Sequence, residues 1–272
     1  MLGRSPLLRA AGGVGRLHHQ LPRSTLGSPF FAAGPFRFYA VQTGEAEAEG
    51  SKGRKRVAVV LSGCGVQDGT EITEAVSVLL HLSRHGAETT CYAPNISFNA
   101  FNHGDDHLTH ELRNVLDEAA RISRGQIRNL HRLLGEEQDA VIFPGGFGAA
   151  KSLCSFAKDG SNMTVQGDVE DVLKEFHSAQ KPIGLCCIAP VLAAKVIPGV
   201  RVTLGRGNKN VNEAIAQMGG EAVEKHVDEV LVDEKNKVVT TPAYMFGDAT
   251  PYEVFEGVGK MVDEVLRLIN KQ

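Results

Sequence analysis

KPIGLCCIAPVLAAKV, residues 181–196, sets two cysteines between an apolar run and a proline. Proline lacks a backbone N–H and fits the first turn of a helix, where that donor has no partner, but not deeper. Pro190 therefore marks where a helix begins. PIGLC before it reads as a buried strand, so the chain turns at Cys187-Ile188-Ala189. A strand that turns sharply into a helix holds its turn residue in a strained conformation with the side chain presented outward. Amides and the dipole at a helix N-terminus lower a thiol's pKa. Cys187 is thus the candidate nucleophile, expected as thiolate near neutral pH. Alternation along the strand turns Cys186 the other way, into packing.

Outward from this stretch, short β-branched runs alternate with amphipathic ones. RVAVVLSG (56–63), ETTCYAP (88–94) and DAVIFPGG (139–146) read as buried strands. TEITEAVSVLLHLSRHG (70–86) reads as a helix with Ile72, Val76, Leu79 and Leu80 inward and Gly86 as its left-handed cap. ELRNVLDEAARISRG (111–125) reads as a second helix, with a stripe from Leu112 through Val115, Leu116 and Ala119 to Ile122. DVEDVLKEFHSAQ (168–180) is a third, with Val169, Val172, Leu173 and Phe176 inward, and a last helix runs from about Tyr252 to Ile269. VRVTLG is strand-like, VNEAIAQMGG is a short helix, and EVLVDEKNKVVTTP is a hairpin turning at Asp233–Asn236. The alternation predicts an α/β fold, a three-layer α/β/α sandwich around a mostly parallel sheet. Ligands of such sheets sit beyond the carboxyl ends of the strands, which directs attention to the residues after LSG, FPGG and IGLC.

Two glycine loops imitate nucleotide motifs. PGGFGAAKS (144–152) approaches a phosphate loop, but Ala150 stands where that motif needs glycine; GCGVQD carries Asp68 at the third glycine position of a dinucleotide fingerprint. Gly145 and Gly146 instead suit a tight turn that exposes backbone N–H groups, an oxyanion hole. The segment NHGDDHLTHE (102–111) gathers His103, His107, His110, Asp105 and Asp106. No strand or helix is predicted to hold them in register, so it reads as a solvated loop able to fold over the cleft as a lid, and not as a metal site.

Taken together, LSGCGVQDGTEITEA, RNVLDEAARISRG, FPGGFGAAK, GLCCIAP and VVTTPAYM resemble the ElbB-like branch of the parkinsonism-associated deglycase and PfpI superfamily. The resemblance runs from about Arg56 to the C-terminus. It implies a flavodoxin-like, class I glutamine amidotransferase-like domain over 56–272. It implies a glutamate on the first helix, here Glu74, hydrogen-bonded to the nucleophilic cysteine. A carboxyl buried beside a thiolate should hold its proton and donate it. By the same analogy Gly146 and the amide of Cys187 supply oxyanion contacts, with Gly145 and Ile188 as further backbone contacts. The implied activity is cofactor-independent: glyoxalase or deglycase-like conversion of glyoxal or methylglyoxal to a 2-hydroxy acid. A homodimer is implied as well, although nothing in the sequence locates an interface.

Departures narrow the reading. Amidotransferases carry G-x-C-x-G at the elbow; Gly184-Leu185-Cys186 fits its front half, but Ile188 replaces the second glycine, and the proline spacing favours Cys187 over Cys186. Family proteases place a histidine where Ile188 stands, and VVTTPAYMFGDAT lacks the histidine and glutamate of an amidotransferase triad. The rival of another class is a non-enzymatic redox-sensing or protein-interaction module on the same fold.

The amino terminus and composition set the context. No acid precedes Glu45, while Arg4, Arg9, Arg16, Arg23 and Arg37 punctuate Leu, Ala, Ser and Gly, the pattern of a mitochondrial transit peptide. Residues 1–39 are expected to be removed, with cleavage after Tyr39 and a matrix destination, and 40–55 to form a flexible linker. A net charge of −3 gives no electrostatic reason for a nucleic-acid partner or a membrane surface. No apolar run approaches the roughly 20 residues of a transmembrane helix. The five cysteines form no CxxC pair. The partner that the resemblance implies is a small carbonyl compound.

Overall fold

The short apolar runs become strands that are buried on both faces. In the computed structural model, which describes residues 53–270, the strands are β1 (Arg56–Val60), β2 (Glu88–Ala93), β3 (Ser97–Asn102), β4 (His107–Asn114), β5 (Ile127–Asn129), β6 (Ala140–Phe143), β7 (Ile183–Cys186), β8 (Arg201–Val202), β9 (Glu221–Ala222), β10 (Leu231–Asp233) and β11 (Val238–Thr241). The helices are α1 (Ile72–Arg84), α2 (Val115–Ile122), α3 (Phe147–Lys151), α4 (Phe156–Asp159), α5 (Gly167–Ser178), α6 (Pro190–Val196), α7 (Lys209–Gln217) and α8 (Pro251–Ile269). The expected targeting segment and most of the expected linker lie outside the described residues.

The central sheet has the order β10-β11-β7-β6-β1-β2-β5 and is parallel except for the β10–β11 hairpin. Helices α1, α2 and α8 pack together, and α5 packs with α6; they form the two outer layers of the expected sandwich. The chain leaves β1 toward β2 on one side and returns to β6 on the other. Adjacent connections diverge there and leave a crevice at the carboxyl ends.

Three local readings change. First, α1 occupies its expected place, and Gly86 is left-handed with φ of 66°. Its inward face, however, carries Glu74, Ala75, Val78, His81 and Leu82. Ile72, Val76 and Leu80 face outward at 49%, 40% and 55% exposure. The helix is apolar on more than one side, and the inward polar residues select the face. Second, residues 97–114 form a β3–β4 hairpin in place of a loop and a helical start. Both of its faces are largely wet, so polar residues hide the strand alternation. Third, α2 begins only at Val115, where the Asn114 side chain caps it by accepting from the N–H groups of Leu116 and Asp117. Leu112 therefore leaves the helical stripe for the hairpin.

The orientation of α1 has a direct thermodynamic signature. Leu82→Ala should cost about 2–5 kcal/mol, the range for emptying a core leucine site. Leu80→Ala should stay within about 0.5 kcal/mol, as for other surface changes. Urea unfolding of the two variants measures both, and the reverse order would place the wrong face inward.

Candidate functional site

The carboxyl ends of β6, β7 and β11 converge on Cys187. This residue follows β7 with φ of 57°, a left-handed conformation that costs a residue with a Cβ roughly 1–2 kcal/mol. Its N–H donates to the carbonyl of Thr241 at 3.1 Å. That bond extends the parallel pairing of β7 with β11 by one residue and pins the turn. Pro190 then opens α6, as its missing N–H requires. The Cys187 side chain is only 8% exposed, on the floor of a cavity of about 460 Å³.

Glu74 stands beneath it, fully buried in the first turn of α1. Its Oε2 accepts from the N–H of Gly145 at 2.9 Å and from the thiol of Cys186 at 3.6 Å. Its Oε1 accepts from the N–H of Tyr244 at 3.4 Å, and the Cys187 side chain lies alongside the carboxyl. Burial, and then the negative charge of Glu71, push its pKa up, against these hydrogen bonds, to about 7. Glu71 is tied to the same helix end, where its Oε2 accepts from the N–H of Glu74 at 2.7 Å.

The expectation of a standing thiolate does not survive this environment. Burial first, and then the charge of Glu74, push the Cys187 thiol well above its ordinary range. The amides of Gly146 and Ile188, which face its sulfur, only partly oppose this. Helix α6 spans just Pro190–Val196 and starts beyond the turn, so its dipole is too weak and too distant to prevail. Burial also raises Cys91 and Cys154, each to about 11. What separates Cys187 from them is contact with a carboxyl, two amides and a cavity.

The glycines make this convergence possible. A Cβ on Gly145 would lie 2.4 Å from the Cβ of Cys187 and 2.7 Å from Oε2 of Glu74. Gly146 has φ of 92°, and a Cβ there would lie 2.4 Å from the Glu71 nitrogen. The oxyanion expectation needs a correction, because two of its donors are committed. The N–H of Gly145 serves Glu74, and that of Cys187 serves Thr241. The amides of Gly146 and Ile188 lie on the side of the sulfur, where they lower its pKa.

The arrangement couples a thiol on a cavity floor to a carboxyl that can take or return its proton near neutral pH. Cys186 is fully buried, as strand alternation implies, yet its thiol also reaches Glu74. Glu71 and Tyr244 were not singled out from sequence. Tyr244 lies just past the carboxyl end of β11, where the same sheet-edge rule applies. The histidine-rich segment stays outside the cluster around Glu74. Its His103 accepts from the N–H of Gln67 at 3.2 Å through Nε2, and Asp68 accepts from the N–H of Phe101 at 2.6 Å. Those bonds fasten the hairpin to the loop after β1. Among the described residues no group of three or more His, Cys, Asp or Glu side chains is placed to hold a metal ion.

No family model matches the chain. It is 53% identical over 228 residues to the "ES1 protein homolog, mitochondrial" of Rattus norvegicus, covering 80% of this chain and 85% of that protein. It is 54% identical over 226 residues to the "glutamine amidotransferase-like class 1 domain-containing protein 3, mitochondrial" of Homo sapiens, covering 79% and 84%. Among solved structures, an isoprenoid biosynthesis protein with an amidotransferase-like domain from Ehrlichia chaffeensis superposes with a TM-score of 0.72 at 35% identity, covering 78% of this chain and 99% of that one.

The raised pKa of Glu74 links the site to stability. The fold favours the protonated carboxyl, so its contribution is complete below the ordinary value of 4.5 and is lost as pH rises through about 7. The loss amounts to about 3 kcal/mol at 1.36 kcal/mol per pKa unit. Glu74→Gln keeps an acceptor oxygen and removes the titration. Denaturant unfolding from pH 4 to 8.5 should therefore show a flatter stability profile for the variant than for wild type. Identical profiles would mean that Glu74 titrates normally.

Proposed function

From the premise that the chain belongs to the ES1 family of glutamine amidotransferase-like class 1 domain proteins, we propose that it is a cofactor-independent enzyme converting small 2-oxoaldehydes to 2-hydroxy acids. The observation that carries this reading is the fully buried Glu74 carboxyl, held by the N–H groups of Gly145 and Tyr244 beside Cys187, which lines a cavity of about 460 Å³. Ionised Glu74 takes the thiol proton as the sulfur attacks the aldehyde carbon. The C–S bond forms and the carbonyl π pair becomes an oxyanion beside the amides of Gly146 and Ile188. Proton return gives a hemithioacetal. Glu74 then removes the hydrogen on C1 and a proton is delivered to C2, so C1 is oxidised to a thioester while C2 is reduced to an alcohol. Water cleaves the thioester and restores the thiol. The sum is R–CO–CHO plus water to R–CH(OH)–COOH, with no external oxidant or reductant.

The raised thiol also weighs against a peroxide-sensing role, because the thiolate is the form that peroxide oxidises. The acid-free, arginine-bearing amino terminus and the mitochondrial names of the relatives support a mitochondrial location. The matrix is the compartment we propose.

Methylglyoxal turnover, followed as lactate formation, tests the assignment. Cys187→Ala should abolish it, and Glu74→Gln should lower kcat by roughly 10²–10⁴-fold, the usual share of general acid–base catalysis. Cys186→Ala should lose about tenfold or less, the worth of one neutral hydrogen bond. Equal losses in the two cysteine variants would contradict the assignment of Cys187. In wild type kcat/KM should climb as pH passes about 7, because Glu74 must be ionised to accept the thiol proton. A decline over that interval would contradict its role as base.

A further inference from the structure

The cavity above Cys187 is much larger than glyoxal or methylglyoxal requires. Its volume of about 460 Å³ falls in the range of about 300–1,000 Å³ typical of sites for drug-sized ligands. Glyoxal and methylglyoxal have the shortest carbon skeletons a dicarbonyl of their kind can have. The wall is chiefly apolar, with Val66, Phe147, Phe156, Ile188, Val211 and Met245 among its side chains and Tyr244 as its one tyrosine. Val66 and Phe147 are 40% and 45% exposed, and large apolar side chains left in water around a concavity mark a binding groove.

The charged groups of this wall are already engaged. The Lys151 ammonium donates to the carbonyl of Gln67 at 2.6 Å and stands 5.2 Å from the ring centre of Phe147 and 5.6 Å from that of Phe101. Glu71 holds the N–H of Glu74. A sugar-like or charged tail would lose water here and gain few partners. An apolar tail would shed water against side chains that already pay for their exposure.

We infer that the substrate class of this site is the 2-oxoaldehydes bearing a branched alkyl or aryl substituent. The reacting carbons lie at Cys187 and the substituent against Phe147, Phe156, Val211 and Met245. The inference rests on the proposed reading of Cys187, and it concerns the wall above the sulfur, not the chemistry at it. The reaction stays the internal C1 oxidation and C2 reduction written above, with only R enlarged.

The test is a substrate series in which R is methyl, isopropyl, then isobutyl, with wild-type protein. A single added methylene in an apolar pocket commonly changes kcat/KM by about tenfold or more. From methyl to isobutyl kcat/KM should therefore rise at least about tenfold. Phe147→Ser, at an exposed position, and Val211→Asn, at a half-buried one, should each shrink the isobutyl-to-methyl ratio. A flat series, or one led by methylglyoxal, would overturn the substrate class. A parallel titration uses Cys187→Ala protein, followed by NMR shifts, with acetophenone against acetone. Binding of acetophenone at least about tenfold tighter supports the apolar class, and equal binding overturns it. If no 2-oxoaldehyde is turned over at all, the chemistry at Cys187 is refuted, and the ketone titration alone then decides what the cavity accepts.

Discussion

A carboxyl group in the interior has to be neutral or well partnered, and Glu74 satisfies that demand by tying four segments of chain together. It belongs to α1, accepts N–H groups from the loop after β6 and from the turn after β11, and meets both thiols at the end of β7. Without these donors the charged form would be prohibitively costly in the core. With them its pKa comes to about 7. The same contacts that make burial tolerable also fix the geometry around Cys187, so satisfying the buried acid and building the site are one structural event.

The rest of the crevice follows from that contact. Gly145 and Gly146 are small because a side chain on either would meet Cys187, Glu74 or the backbone at Glu71. The left-handed Cys187 is held by pairing with Thr241 on one side and by the proline-started helix on the other. Strain of this kind persists only where the surroundings over-determine it. Here the restraint comes from parallel strands β7 and β11, each flanked by a strand on both sides. The reacting sulfur is thus mounted on the rigid part of the molecule, while the apolar wall that would meet a substrate comes from loops and short helices.

Much of this was legible in the sequence, for identifiable reasons. Proline at position 190 located the elbow because its geometry permits few alternatives, and short β-branched runs located the sheet because parallel strands are buried on both faces. The role of Glu74 came from resemblance, since pattern alone treats a helical glutamate as a surface residue. That habit also misdirected the facing of α1. Ile72, Val76 and Leu80 make a persuasive stripe, but the inward row contains Glu74 and His81 as well as Val78 and Leu82, and an apolar-inward rule discards such a row. The β3–β4 hairpin was hidden because strands wet on both sides lose their alternation. The contact from Cys186 to Glu74 depends on how far a side chain reaches, which alternation along a strand does not encode.

The account stands on a carboxyl and a thiol that share a proton. Its most direct measurement is the titration of the Glu74 side-chain carboxyl carbon by ¹³C NMR, in wild type and in Cys187→Ala. The predicted wild-type midpoint is about 7, moving further up in the variant because the thiol that stabilises the ionised form is gone. A midpoint near the ordinary glutamate value, or the same midpoint in both proteins, would contradict it.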